Sequence, residues 1–185
     1  YISGIILFDE TFHQSELSSG MKFPEYLTSK NILPGIKVDQ GLEDFSPYEK
    51  LTKGLDDLSE RLGKYYALGA RFAKWRAVIT PGDSIPTDDC ILANAKNLAK
   101  YAKKCQQANL VPIVEPEVLM DGVHTIDESF DITSRTLNMV FDQLDEHNVS
   151  LQGIVLKPNM ILSGYECPYQ ASIEEVAEKT VNCLS

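Results

Sequence analysis

Residues 151–160 read LQGIVLKPNM. Three apolar residues, Ile154, Val155 and Leu156, run straight into Lys157, and Pro158 follows at once. Such a run predicts a strand buried on both faces, as in a parallel sheet. Proline has no amide proton for a ladder, so the strand ends at Pro158. Lys157 then stands at the carboxyl end of a buried strand, where parallel α/β proteins keep their chemistry. Partial loss of water there disfavours the ammonium and favours the nucleophilic amine. On this strand alone a second reading is open: a lysine whose stem packs at the strand end while its head reaches water.

Working outward, the pattern recurs. Residues 1–8, YISGIILF, predict a first strand closed by Asp9-Glu10-Thr11, and residues 12–22 a polar loop. Phe23-Pro24 opens a helical turn, with proline suited to the first helical position. Leu33–Val38 predicts the second strand, ending in Lys37-Val38-Asp39. Gln40–Lys53 has no clear period and reads as an exposed loop. Gly54–Leu68 carries a helical stripe of Leu55, Leu58, Leu62, Tyr65 and Tyr66, with Gly69 as its stop. Ala70–Val78 is the third strand. A helix started by Ser84 or Thr87 runs to about Ala108, where Asn109 can close it in a left-handed conformation. Leu110–Glu117 is the fourth strand, and Asp127 to about His147 a long helix. After the opening stretch, Ser172-Ile173-Glu174-Glu175 reads as a capping box that starts a last helix.

Strands begin near residues 2, 33, 70, 110 and 152, with helices between them. The repeat is a βα unit of about 40 residues, compatible with the ~30 or more of a crossover unit. It implies parallel strands and right-handed crossovers. Two architectures fit: an open doubly wound sheet, or part of a (β/α)8 barrel. A whole barrel typically takes about 250 residues, so five units fall short of one.

The 185 residues suggest one domain, and 43% hydrophobic with 24% charged content is that of an ordinary globular protein. No apolar run approaches the ~20 residues of a membrane helix, and no signal-peptide pattern is visible. A net charge of −10 argues against nucleic acid or anionic membrane as partners, though a local cation cluster still suits a phosphorylated substrate. Cys90, Cys105, Cys167 and Cys183 are far apart and read as reduced thiols of a cytosolic protein. His13, His124 and His147 have no metal-site spacing and are expected at surface or turn positions.

Four strands end in charge: Lys37 and Asp39, Lys74 and Arg76, Glu115 and Glu117, and Lys157. Residues i and i+2 of a strand share a face, so each pair points one way. Burying these charges unpaired would be prohibitive, but four cations and three anions nearly balance as a mutually paired cluster. Exposed ends of amphipathic strands are the plainer reading of any single pair. As a set they describe an amine crowded by Lys74, Arg76 and Lys37, carboxylates for proton transfer, and cations for phosphate. That combination is the chemistry of a Schiff base on a phosphorylated carbonyl compound.

GIKVDQG (35–41), GLDDLSERL (54–62), GARFAKWRAV (69–78), LVPIVEPEVLMDG (110–122) and GIVLKPNM (153–160) resemble class I fructose-1,6-bisphosphate aldolase, in order and over essentially the whole chain. The resemblance implies a (β/α)8 barrel of which this chain covers strands 2–6. Residues 1–185 would form one partial barrel domain, with the first and last two strands absent from the sequence. That absence fits a longer protein, a fragment, or a short form completed by a second copy.

By the same resemblance Lys157 is the Schiff-base lysine and Glu115 the acid/base. Glu117 is an assisting carboxylate, and Lys74 stabilises charge beside the imine. Arg76 and Lys37 engage the phosphate remote from the imine, with Asp39 as a structural partner of Lys37. Trp75, alternating with Lys74 and Arg76, is expected in the strand–helix core. The resemblance implies a cytoplasmic enzyme of glycolysis and gluconeogenesis with a phosphorylated sugar as partner. It also implies no metal or other cofactor and a homo-oligomer, commonly a tetramer. Two alternatives stand beside it: a non-catalytic scaffold that keeps the charged mouth, and another lysine Schiff-base lyase acting on a different sugar phosphate.

Overall fold

The computed structural model describes residues 2–185. In chain order its elements are β1 (Gly4–Leu7), α1 (Asp9–His13), α2 (Phe23–Ser29), β2 (Leu33–Lys37), β3 (Leu42–Ser46) and β4 (Glu49–Thr52). There follow α3 (Leu58–Ala67), β5 (Phe72–Ile79), α4 (Asp88–Gln107), β6 (Val111–Val118), α5 (Ile126–Glu146), β7 (Val155–Leu156) and α6 (Ile173–Leu184). The main sheet has the order β1-β2-β5-β6-β7, and every neighbour pair is parallel. The first strand is shorter than expected, and Tyr1 lies outside the described residues.

Alternation explains how the sheet presents two faces. Ile36, Val38, Ala73, Trp75, Ala77 and Val114 are buried and point to the helices. Their neighbours Lys37, Lys74, Arg76, Glu115 and Glu117 point the other way. Trp75 is fully buried and stacks on Tyr101 of α4 with ring centroids 5.5 Å apart. The Tyr101 hydroxyl donates to the Ala73 carbonyl at 2.7 Å, which fixes helix to strand. Leu98 and Ala102 of α4 and Val140 and Leu144 of α5 complete this layer. Each fully buried Leu or Ile contributes about 1.5–3 kcal/mol.

The long helices begin and end on local signals. Thr87 caps α4, its hydroxyl accepting from the Cys90 amide at 3.2 Å. Asn109 takes φ 59° and ends it, with the Leu110 amide bonded to the Cys105 carbonyl at 2.9 Å. Thr125 and Glu128 form a reciprocal capping box at the start of α5. The box expected at Ser172 is only half formed: Ser172 accepts from the Glu175 amide, with no return bond. Polar residues Asp9–His13, expected to close a strand and begin a loop, instead form the single turn α1, pinned by buried Phe12.

Two further expectations are corrected. Residues 40–53 are not a loop throughout; they contain the antiparallel hairpin β3–β4. Its buried positions are polar, Glu49 and Thr52, so no apolar alternation marks it. Glu49 accepts from the Thr87 amide at 2.7 Å, and the Asn94 amide of α4 donates to the Lys50 carbonyl at 2.9 Å. The last strand, expected to be buried on both faces, is a two-residue edge strand with Val155 49% exposed. Among the described residues it pairs with β6 alone.

At the amino end of the sheet, the Phe72 ring lies across Gly35. A β-carbon at Gly35 would come within 2.2 Å of that ring, so only glycine fits beneath it.

Candidate active site

Strand register gathers the charged ends. Lys37 lies opposite Lys74, Arg76 opposite Glu115, and Val78 opposite Glu117. The Lys157 amide continues the β7 ladder with a bond to the Val114 carbonyl at 2.9 Å. Register thus brings the seven predicted site residues together on one sheet, with Lys74 and Arg76 third and fifth of the eight residues of β5 and Glu115 fifth of the eight of β6, inside their strands rather than at the very ends.

Glu115 is the centre of the cluster. Its side chain is 5% exposed and lies between two ammonium groups. Lys157 Nζ donates to Oε1 at 2.6 Å. Lys74 Nζ approaches Oε2 at 2.7 Å, an ion pair outside hydrogen-bond alignment. One buried carboxylate thus serves two amines, which leaves one positive charge over at this end of the site. A carboxylate so close to an amine can accept its proton directly.

The other charges pair off around this centre. Arg76 Nε is ion-paired with Glu117 Oε2. Lys37 Nζ meets Asp39 Oδ1 at 2.5 Å and sits 5.9 Å from the Phe8 ring centroid. The buried Asp39 carboxylate also accepts from the Arg76 amide at 3.4 Å, so it joins Lys37 to the next strand. The Thr52 hydroxyl donates to the Arg76 carbonyl at 2.8 Å. Sequence reasoning missed Thr52 because it lies in the hairpin that was expected to be a loop.

The setting of Lys157 differs from expectation in two ways. Among the described residues its side chain is 57% exposed, where partial loss of water was expected. What stands against it is the Glu115 carboxylate shared with Lys74, whereas Arg76 and Lys37 are engaged with carboxylates of their own. The exposure follows from the place of β7 at the edge of the described sheet. Lys74, Glu115 and Lys157 line an open face, while a cleft of about 660 Å³ lies to one side, between Lys37, Asp39, Arg61 and Tyr65. Among the described residues, no group of three or more His, Cys, Asp or Glu side chains is placed to hold a metal ion. His124 lies in the turn before α5, one of the two expected settings, but is buried there, and burial holds its imidazole below the ordinary value, against a smaller opposing pull from Glu128.

A parallel α/β sheet with a paired lysine–carboxylate cluster at its carboxyl edge defines a class of barrel-type site. The family described as fructose-bisphosphate aldolase class-I matches residues 1–185. A probable fructose-bisphosphate aldolase class 1 of Xanthomonas axonopodis pv. citri is 55% identical over 186 residues, covering 100% of this chain and 55% of that protein. Fructose-bisphosphate aldolase 1 of Toxoplasma gondii is 51% identical over 188 residues, covering 100% of this chain and 52% of its own length. Among solved structures, fructose-bisphosphate aldolase from Plasmodium falciparum, crystallised with TRAP and a small-molecule inhibitor, superposes with a TM-score of 0.95 at 47% identity. It covers 99% of this chain and 54% of its own. This chain belongs to the class I fructose-bisphosphate aldolase family, and its five-stranded sheet is part of the family's (β/α)8 barrel. It spans about half the length of the relatives it matches.

Proposed function

We propose that the whole protein cleaves fructose 1,6-bisphosphate reversibly to dihydroxyacetone phosphate and glyceraldehyde 3-phosphate through an imine on Lys157. The observation that carries this reading is the Lys157–Glu115–Lys74 arrangement, with contacts of 2.6 and 2.7 Å about one buried carboxylate. Lys157 Nζ adds to the substrate ketone and water leaves, with Glu115 moving the protons. Glu115 then takes the proton of the C4 hydroxyl. The C3–C4 bond breaks, its electron pair flows into the protonated imine as an enamine, and glyceraldehyde 3-phosphate departs. Protonation of the enamine and hydrolysis release dihydroxyacetone phosphate and restore the amine.

Lys74 stabilises charge beside the imine, and Glu117 assists as a neighbouring carboxylate while orienting Arg76. Arg76 and Lys37 bind the phosphate remote from the imine, and Asp39 holds Lys37. Opposed cations at the mouth suit a phosphate ester better than a neutral sugar. The remaining strands of the barrel belong to the rest of the whole protein, which acts in the cytoplasm as a homo-oligomer, a tetramer. Free cysteines at 90, 105, 167 and 183 agree with that compartment. Among the described residues no helix is long and apolar enough to cross a membrane.

Borohydride trapping with dihydroxyacetone phosphate, followed by peptide mass analysis, tests the central step in the full-length protein. The expected result is one adduct, on Lys157. Turnover with no adduct there would overturn the assignment.

A further inference from the structure

We infer that Asn159 is a positioning residue for Lys157: its side-chain amide takes over the ladder where β7 stops, and locks the lysine's strand end to the strand end carrying Glu115 and Glu117. The inference rests on the aldolase reading for the reaction it affects, and on the hydrogen bonds for the clamp itself.

Parallel strands send alternate amides to opposite neighbours. Along β6 and one residue past it the odd-numbered amides face β5: Val111 donates to the Arg71 carbonyl at 3.1 Å and Leu119, just beyond the strand, to the Ile79 carbonyl at 2.9 Å. Even-numbered positions therefore face β7. Two of them, Pro112 and Pro116, have no amide proton to place. Beyond Val114, the amide left facing β7 within the strand is that of Val118. The ladder cannot reach it, because β7 ends at Leu156 and Pro158 follows Lys157. Val118 is 3% exposed, and a buried amide without a partner costs about 1–3 kcal/mol. Asn159 Oδ1 accepts from it at 3.1 Å.

The rest of the Asn159 amide is also committed. Nδ2 donates to Thr133 Oγ1 at 3.1 Å and to the Met160 carbonyl at 3.0 Å. Thr133 is buried on α5. One side chain thus joins the end of β7, the end of β6 and the helix between them. The Val118 amide shares its peptide unit with the Glu117 carbonyl, so the clamp acts directly beside Glu117 and two residues from Lys157. Among the described residues the Lys157 backbone has few other ties. Its amide bonds to Val114, and the Ile161 amide meets the Thr180 hydroxyl at 3.0 Å. Misplacing a reacting group by about 1 Å can cost on the order of a hundredfold in rate.

The test uses the full-length protein and its variants Asn159→Ala and Thr133→Val. For each, kcat, KM, melting temperature and the rate of borohydride-trapped adduct formation on Lys157 are measured. Asn159→Ala is expected to lower kcat and the trapping rate together by about tenfold or more, with KM changed less than about threefold. Thr133→Val is expected to give a smaller loss of the same kind, about threefold, and to add little to Asn159→Ala. Wild-type trapping and kcat in a folded Asn159→Ala protein, whatever its melting temperature, overturn the inference. Should Asn159→Ala fail to fold, Thr133→Val decides: slowed trapping at unchanged KM supports the clamp, and unchanged trapping refutes it. Absence of any Lys157 adduct in the unsubstituted protein is a different result, which removes the aldolase reading instead.

Discussion

Among the described residues, the interior of the main sheet and its last strand are held differently. β5 and β6 pair over eight residues, with helices packed on their outer face and Trp75 fully buried between strand and helix. β7 pairs over two residues and leaves Val155 half exposed. Yet the predicted nucleophile stands on the weak strand and its carboxylate partner on the strong one. The lesson is a division of labour. Among the described residues, Glu115 is fixed by a continuous ladder, whereas Lys157 is held by one backbone bond and by side chains that reach across from beyond it.

Substitutions can break that contrast in graded steps. Lys157→Met in the full-length protein should abolish the trapped adduct and lower turnover at least about a thousandfold while leaving the melting temperature near wild type. A residual adduct on another lysine, found by peptide mapping, would move the nucleophile off the weak strand. Trp75→Ala, on the strong side, should lower stability by about 3–5 kcal/mol in urea titration, because the cavity it leaves is walled by helix and strand.

Glu49→Gln should cost about 2 kcal/mol, because a buried carboxylate bound by the Thr87 amide and hydroxyl loses its charge. Burial pushes the Glu49 carboxyl up, but its bonds from Thr87, Ser46 and Cys90 together hold it below its ordinary 4.5. The stability it adds is therefore fully present above pH 4.5 and is lost as pH falls through the lower folded value. Denaturation followed from pH 6 downward should show a shallower acid decline in Glu49→Gln than in wild type. Val155→Ala, on the edge strand, should cost less than about 1 kcal/mol by the same titration. Equal losses at Trp75 and Val155 would erase the distinction.

Much of this arrangement was legible from residue order. The stripes Ile91-Leu98-Ala102 and Ile132-Val140-Leu144 announced the long helices, and Asn109 its helix end, because each rests on local chemistry. Alternation in FAKWRAV placed Trp75 in the core and its charged neighbours on the far side. The hairpin was hidden because it buries Glu49 and Thr52 in place of apolar residues. The exposure of Lys157 was hidden too: an apolar tripeptide reads the same whether its strand has one neighbour or two. Asn159 gave a faint signal, an amide side chain just past a proline at a strand end. Only the register of β6, with Pro112 and Pro116 on the side facing β7, gives that signal meaning.

The ring of Phe72 over Gly35 has a consequence for traffic. It floors the charged face at the amino end, below Lys37 and Lys74. In the closed barrel of the proposed enzyme, that floor would leave reactants the rim where the strands finish, so that whatever is made goes out by the way it came in. Under the imine chemistry proposed above, two products formed from one sugar would queue there, and the fragment tethered to Lys157 would depart last.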